Sequence, residues 1–200
     1  MLRTKIAADL HDDIGAGLTE ISIMSEVIAQ KLPDDQRGLV KSELGGITTA
    51  SRQLVNGMSD IVWLVNPRRD SLHDLIARLG DAYNESLRSS NVSLKIRNVE
   101  SLKNVRLGME RRQHVFLIFK EAIHNAIKYS DCSEITLDVE AKGGRIEIRL
   151  ADNGKGFDPS QVSSGNGLAN MKDRASRIKA RVAIESSQGS GTTVSLAMRG

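Results

Sequence analysis

The segment "DLHDDIGAG", residues 9–17, sets His11 between Leu10 and Asp12 in a stretch that repeats like a helix. An imidazole is an adequate nucleophile at neutral pH only while unprotonated, its free pKa being about 6.5. A neighbouring carboxylate can take a proton from one ring nitrogen as the other attacks. A second polar set lies in "FKEAIHNAIKYS", residues 119–130, where Glu121, Asn125 and Lys128 fall four and three residues apart and so share one face of a helix. An acid, an amide and an ammonium in a row suit a magnesium ion and the phosphates it bridges. Taken alone, such a row is more often a solvated polar face. In "DNGKGFD", residues 152–158, Gly154 and Gly156 allow close backbone approach to a ligand, and Asp152 at a strand end can accept a hydrogen bond from an exocyclic amine. By itself this segment would pass for a turn. In "SGNGLANM", residues 164–171, Gly165 and Gly167 precede a helix whose free amides could cradle phosphate. A lone glycine pair there is closer to a capping device.

These side chains need elements to hold them. Apolar residues at Leu2, Ile6, Leu10, Ile14, Leu18, Ile21, Met24 and Ile28 predict one inward-facing helical stripe, ending near Lys31 because Pro33 disfavours helix before it. A second helix carries Val40, Ile47, Leu54 and Ile61 on one seven-residue series and Leu44, Met58 and Val65 on another, with Ser51 interrupting the seam. Two helices make a thin core, so a dimer giving a four-helix bundle is the simpler way to bury both stripes. By itself this half reads as a helical hairpin for dimerisation.

"NPRRDS", residues 66–71, breaks the heptads and opens a helix that Ser71 and Asp74 could cap, with Leu72, Leu75, Ile76, Leu79, Tyr83 and Leu87 as its apolar face. The period switches to two in "VSLKI", a further helix spans Glu110 to Tyr129, and Ile135, Leu137 and Val139 face Ile146, Ile148 and Leu150 across a Gly-Gly turn. A helix over 167–179 and a last strand pair, "RVAIES" and "TTVSLAM", complete a two-layer α/β domain with helices on one face of a mixed sheet. The expected boundaries are 1–66 for the helical hairpin, 67–71 for a linker and 72–200 for the α/β domain.

Bulk composition narrows the function classes. Apolar residues are 40% and charged residues 26% of the 200, an ordinary soluble balance. The net charge of +3, from 28 basic and 25 acidic residues without a dense basic block, gives nucleic-acid binding little support. The single cysteine, Cys132, cannot build an internal disulfide framework, which favours a reducing compartment, the cytoplasm. No apolar run reaches the roughly 18 residues a membrane helix needs. The closeness of His11 to the first residue leads us to expect an upstream region outside this chain, through which any membrane attachment would run.

In this order, the four glycine and polar boxes resemble those of the GHKL ATPases: Glu121 to Tyr129 the N box, Asp152 to Gly156 and Gly165 to Gly167 two glycine boxes, and "GSGTTV" (189–194) the closing Gly-Thr segment. The resemblance implies a GHKL (Bergerat-type, HATPase_c) domain over about 72–200 that binds ATP with Mg2+. The residues implied are Asn125 as magnesium ligand and Asn125, Lys128, Tyr129, Asp152, Gly154, Gly156, Gly165, Gly167, Leu168 and Thr192 around the nucleotide. "RTKIAADLHDDIGAGLTEI" resembles the phosphoacceptor segment of sensor histidine kinases of the NarL/DesK-like, HisKA_3-type subfamily. That implies a homodimer in which His11 is phosphorylated and the phosphoryl group passes to an aspartate on a response regulator receiver domain of the LuxR/NarL type. Asp12 fills the family's position for the base, and Glu121 is a second candidate. Related kinases often carry glutamine where this chain has Ala16, a side chain unable to hold a water, which implies weak phosphatase activity. The competing readings are a GHKL regulatory module or pseudokinase and a dimeric scaffold that binds no nucleotide.

Overall fold

The computed structural model describes residues 2–32, 37–66, 70–159 and 166–200, with backbone alone at 2–13, 37–39, 100, 101 and 166. The chain divides into two compact units, Met1–Arg68 and Arg69–Gly200. The linker expected at 67–71 lies partly outside the described residues, at 67–69.

The first unit is an α-helical hairpin of α1 (Leu2–Lys31) and α2 (Arg37–Val65). Its buried seam is Gly15, Ser22 and Ser25 on α1 with Ser51, Asp60 and Leu64 on α2, so the α1 side is built from small residues. Ser25 Oγ satisfies itself on the Ile21 carbonyl at 2.8 Å, as serine does inside helices. Glu26 and Arg52 join the two helices at the surface, 2.6 Å apart. The large apolar residues of the α1 stripe are not covered within one hairpin, as expected of two helices alone. Ile14, Ile21, Met24 and Ile28 are exposed in the single chain, as are Val40, Ile47, Leu54 (57%) and Ile61 (55%) on α2. The reason is geometric: α2 takes up the small-residue side of α1, and one hairpin has nothing left to cover the large rows.

The second unit runs α3 (Leu72–Ser89), β1 (Ser93–Arg97), α4 (Met109–Tyr129), β2 (Glu134–Lys142), β3 (Arg145–Asp152), α5 (Asn166–Arg177), β4 (Arg181–Ser186) and β5 (Thr192–Arg199), with a 3-10 turn at Val99–Leu102. Ser71 caps α3: its Oγ accepts from the Asp74 amide at 3.0 Å and donates to Asp74 Oδ2 at 2.7 Å. The six apolar residues expected on that helix are its buried ones. Tyr83 adds a bond from its hydroxyl to the Lys120 carbonyl on α4 at 2.8 Å, which makes it a packing residue.

The sheet order is β1-β2-β3-β5-β4, with β1 and β2 parallel and the other pairs antiparallel. The parallel pair requires a crossover, which α4 supplies. In the β2–β3 hairpin Leu137 pairs with Leu150 and Val139 with Ile148, leaving Ile135 opposite Asp152. Gly143 and Gly144 both take positive φ at its turn, the conformation a two-residue hairpin favours. Ile135, Leu137 and Val139 of β2 and every second residue of β3 are buried, so one sheet face carries the three helices and the other meets solvent. Each fully buried Leu or Ile in this layer contributes about 1.5–3 kcal/mol relative to exposure.

Candidate functional site

A cavity of about 670 Å3 opens in the second unit beside α4, α5 and the strands β3, β4 and β5. Of the residues singled out in the sequence, Glu121, Asn125, Tyr129, Asp152, Gly156, Gly167, Leu168 and Thr192 line it. They come from four separate segments, which the sheet order converges: Asp152 ends β3 between Ile135 of β2 and Thr192 of β5. The walls are apolar, with Ala122 and Ala126 from α4, Leu150, Ile184 and Val194 from the strands, and Met171 from α5. Such a slot, apolar on its faces with a few polar groups at fixed points, suits a flat ligand.

Asp152 is only 8% exposed. Its Oδ1 accepts from the Gly154 amide at 2.9 Å, while Oδ2 receives no hydrogen bond among the described residues. The adjacent Asn153 clamps this strand end. Asn153 Oδ1 accepts from the amides of Ser133 and Glu134, its Nδ2 donates to Ser133 Oγ, all at 3.0 Å, and its own amide donates to the Glu134 carbonyl at 3.2 Å. Asn153→Ala removes the three side-chain bonds and should lower the stability of the second unit by about 1–3 kcal/mol. Urea unfolding of the chain checks this: an unchanged midpoint would mean that the clamp adds nothing, and Asn153→Asp, which keeps both acceptor bonds, should lose less.

The glycines of this loop serve packing more than ligand approach. A Cβ on Gly154 would overlap Ser130, and Gly154 does not line the cavity. Gly156, at φ +60°, lies against the Ser187 carbonyl, and Gly191, at φ +70°, against that of Asp152. The loop is further stapled by Lys155 N to Ser130 O (2.7 Å), Gly189 N to Lys155 O (2.6 Å) and Phe157 N to Ser186 Oγ (2.9 Å).

At the other end of the cavity Asn125 Nδ2 donates to Glu121 Oε1 at 3.3 Å. A carboxylate can only accept, so the amide must present its nitrogen there, and the carbonyl oxygen of Asn125 is left to point elsewhere. Gly167, at the start of α5, passes so close to Glu121 that a Cβ would run into the carboxylate. Tyr129 stands at the mouth, 57% exposed, with Lys128 Nζ 5.0 Å from its ring centre. Lys128 itself does not line the cavity. Gly165 lies outside the described residues, as do the side chains of His11 and Asp12, whose backbone belongs to α1.

Lys155, Phe157, Ser130 and the apolar walls were not singled out in the sequence, yet line the cavity; Lys155 Nζ is 2.7 Å from Asp131 Oδ2. Met171 was findable, being four residues after Gly167 and therefore on its helix face. His124 lies exposed on the lining. His114 does not reach the cavity; burial, with Arg174 and Arg177 near, pushes its imidazole below the ordinary value. Burial likewise pushes the Cys132 thiol up, as for an inert packed side chain. Among the described residues no helix is long and apolar enough to cross a membrane.

Residues 3–70 match the HisKA_3 model, described as histidine kinase, and residues 110–199 the HATPase_c model, described as histidine kinase-, DNA gyrase B- and HSP90-like ATPase. The chain is a HisKA_3-type histidine kinase catalytic core. This kinase core is similar to the sensor histidine kinase LiaS of Bacillus subtilis (strain 168), 27% identical over 193 residues that make up 96% of the chain and 52% of LiaS. It therefore spans about half the length of that curated relative. Two solved structures share its fold. The full-length ShkA complex with AMPPNP aligns at TM-score 0.60 and 17% identity, over 96% of this chain and 45% of ShkA. The histidine kinase domain of the Erythrobacter litoralis EL346 blue-light activated kinase aligns at 0.58 and 13%, over 90% and 95%.

Proposed function

We propose that this core binds ATP in the cavity of the second unit, transfers the γ-phosphoryl group to His11, and passes it to an aspartate of a response regulator receiver domain of the LuxR/NarL type. The observation that carries this reading is the meeting of Glu121, Asn125, Asp152, Gly156, Gly167 and Thr192, distant in sequence, on one cavity. A nucleotide-analogue complex of ShkA, a relative in fold, supports ATP as the ligand. Asp152 Oδ2 accepts from the base amine, Tyr129 offers its ring at the mouth, and the amides at the start of α5 meet phosphate oxygens.

Magnesium fits the donor set. Asn125 has a hard oxygen directed away from Glu121, and among the described residues no cluster of three His, Cys, Asp or Glu competes to build an all-protein cage. A metal that keeps several waters and leans on phosphate oxygens needs few protein ligands. When bound, it offsets charge on the phosphates during transfer. The chain's own work is positioning: Asn125 supplies its carbonyl oxygen, and Glu121 holds the amide in that orientation. Asp12 accepts the proton from His11, with Glu121 as the second candidate.

The exposed rows Ile14–Ile21–Ile28 and Val40–Ile47–Leu54–Ile61 support a homodimer, in which a second hairpin covers them as a four-helix bundle. Ala16, exposed on α1, supports a weak phosphatase. The deciding experiment is incubation with γ-labelled ATP and magnesium: acid-labile protein label is expected, and its absence would sink the kinase reading. Asn125→Asp keeps an oxygen for the metal but adds charge beside both Glu121 and the phosphates. Turnover should fall by at least about tenfold while the magnesium midpoint moves little; full activity would reduce Asn125 to a surface amide.

A further inference from the structure

Across the strand pair from Thr192, which lines the cavity, Ser186 on β4 carries a hydroxyl that bonds within the protein. Ser186 Oγ accepts from the Phe157 amide at 2.9 Å, donates to the Gly191 carbonyl at 2.9 Å, and lies 3.1 Å from Thr192 Oγ1. A serine hydroxyl has one proton and two lone pairs. By distance either hydroxyl of the Ser186–Thr192 pair could donate; because the Gly191 carbonyl can only accept and takes the serine proton, and Phe157 N takes one lone pair, the lone pair left on Ser186 is the place for the proton of Thr192. Thr192, which lines the cavity, therefore shows a ligand only its lone pairs. Its cross-strand partner is Asp152, an acceptor whose Oδ1 is already taken by the Gly154 amide.

We propose that Ser186 is a positioning residue that fixes Thr192 as a hydrogen-bond acceptor, so that this end of the cavity selects a purine carrying an exocyclic amine. The two N–H groups of that amine match the two acceptors, Asp152 Oδ2 and Thr192 Oγ1. A purine without the amine leaves both acceptors unpaired in an apolar slot, which is where discrimination by hydrogen bonding is strongest. The proposal rests on the nucleotide reading above and adds to it the residue that sets the polarity of the base contact.

The test measures binding of ADP and of purine riboside 5′-diphosphate, which keeps the ring nitrogens and lacks the amine, to the 200-residue chain by calorimetry. Wild type is expected to prefer ADP. Ser186→Ala frees the Thr192 proton to turn toward the amine, and the preference should narrow by about threefold to tenfold, the scale of one hydrogen bond. Ser186→Thr, which keeps a hydroxyl on the strand, should restore it. Equal weakening of both nucleotides by Ser186→Ala would make Ser186 merely structural and overturn the proposal. Should Ser186→Ala fail to fold, Thr192→Val decides, since deleting the oxygen must narrow the preference too; an unchanged preference overturns the proposal. Wild type that binds ADP with a preference insensitive to these variants sinks the Ser186 role alone. Wild type that binds neither nucleotide sinks the ATP reading with it.

Discussion

His11→Gln is expected to reduce incorporation of label from γ-labelled ATP to background while ATP affinity stays within about threefold. The two effects separate because the acceptor and the cavity belong to different units of the chain: His11 is on α1 within Met1–Arg68, and every lining residue lies in Arg69–Gly200. Glutamine approximates the size and polarity of histidine and is compatible with a helix interior. Its amide nitrogen carries no lone pair able to attack phosphorus, so the loss is chemical. Phosphoryl transfer depends mainly on positioning and charge neutralisation, and both remain in the variant without an acceptor. Acid-labile label retained in His11→Gln would move the acceptor to another of the four histidines, with His124 on the cavity lining as the first to replace.

Much of the fold was legible because its signals are local. The cap at Ser71, the buried face of α3 and the Gly143–Gly144 hairpin each follow from residues within a few positions of one another. The partition of the heptads was not legible. Leu18 and Ile21 look equivalent as apolar letters, but the choice of seam depends on where α2 lies, and on α1 it settled on Gly15, Ser22 and Ser25, facing Ser51, Asp60 and Leu64 of α2. Ser51 looked like an interruption in a row of large residues; in space it is where the helices come close.

The site divides along the same line. Asp152, Asn125 and Gly167 were visible because each belongs to a compact polar or glycine-rich segment that an ordinary sheet does not need. Ile184 and Val194 were hidden among residues whose alternation already had a structural explanation. The glycines were found for an incomplete reason. Gly154 and Gly191 are required where backbone crosses backbone, at Ser130 and at Asp152, and only a folded chain reveals which strand passes behind a turn. Asn153 is the same kind of case, since its four hydrogen bonds reach residues 19 and 20 positions away.

Asp152→Asn should weaken ADP and magnesium-ATP by the same factor, about fivefold to 150-fold, corresponding to about 1–3 kcal/mol for a buried polar mismatch. The direction follows from the surroundings of the side chain. The Gly154 amide donates to Oδ1, so in the variant the carbonyl oxygen of the new asparagine stays on that amide. Its NH2 group then takes the place of Oδ2 and meets the amine of the base, donor against donor. At 8% exposure there is little room for water to mediate. The ratio of ADP to ATP affinity should not change, because the proposed binding mode puts the phosphates at the Glu121 and Gly167 end of the cavity, and Asn125→Asp should alter that ratio instead. Asn153 and its partners are untouched, so the unfolding midpoint should shift little. Affinity measured by titration with ADP is the check: a value equal to wild type would remove Asp152 from the base contact and leave it as a strand-end cap for Gly154.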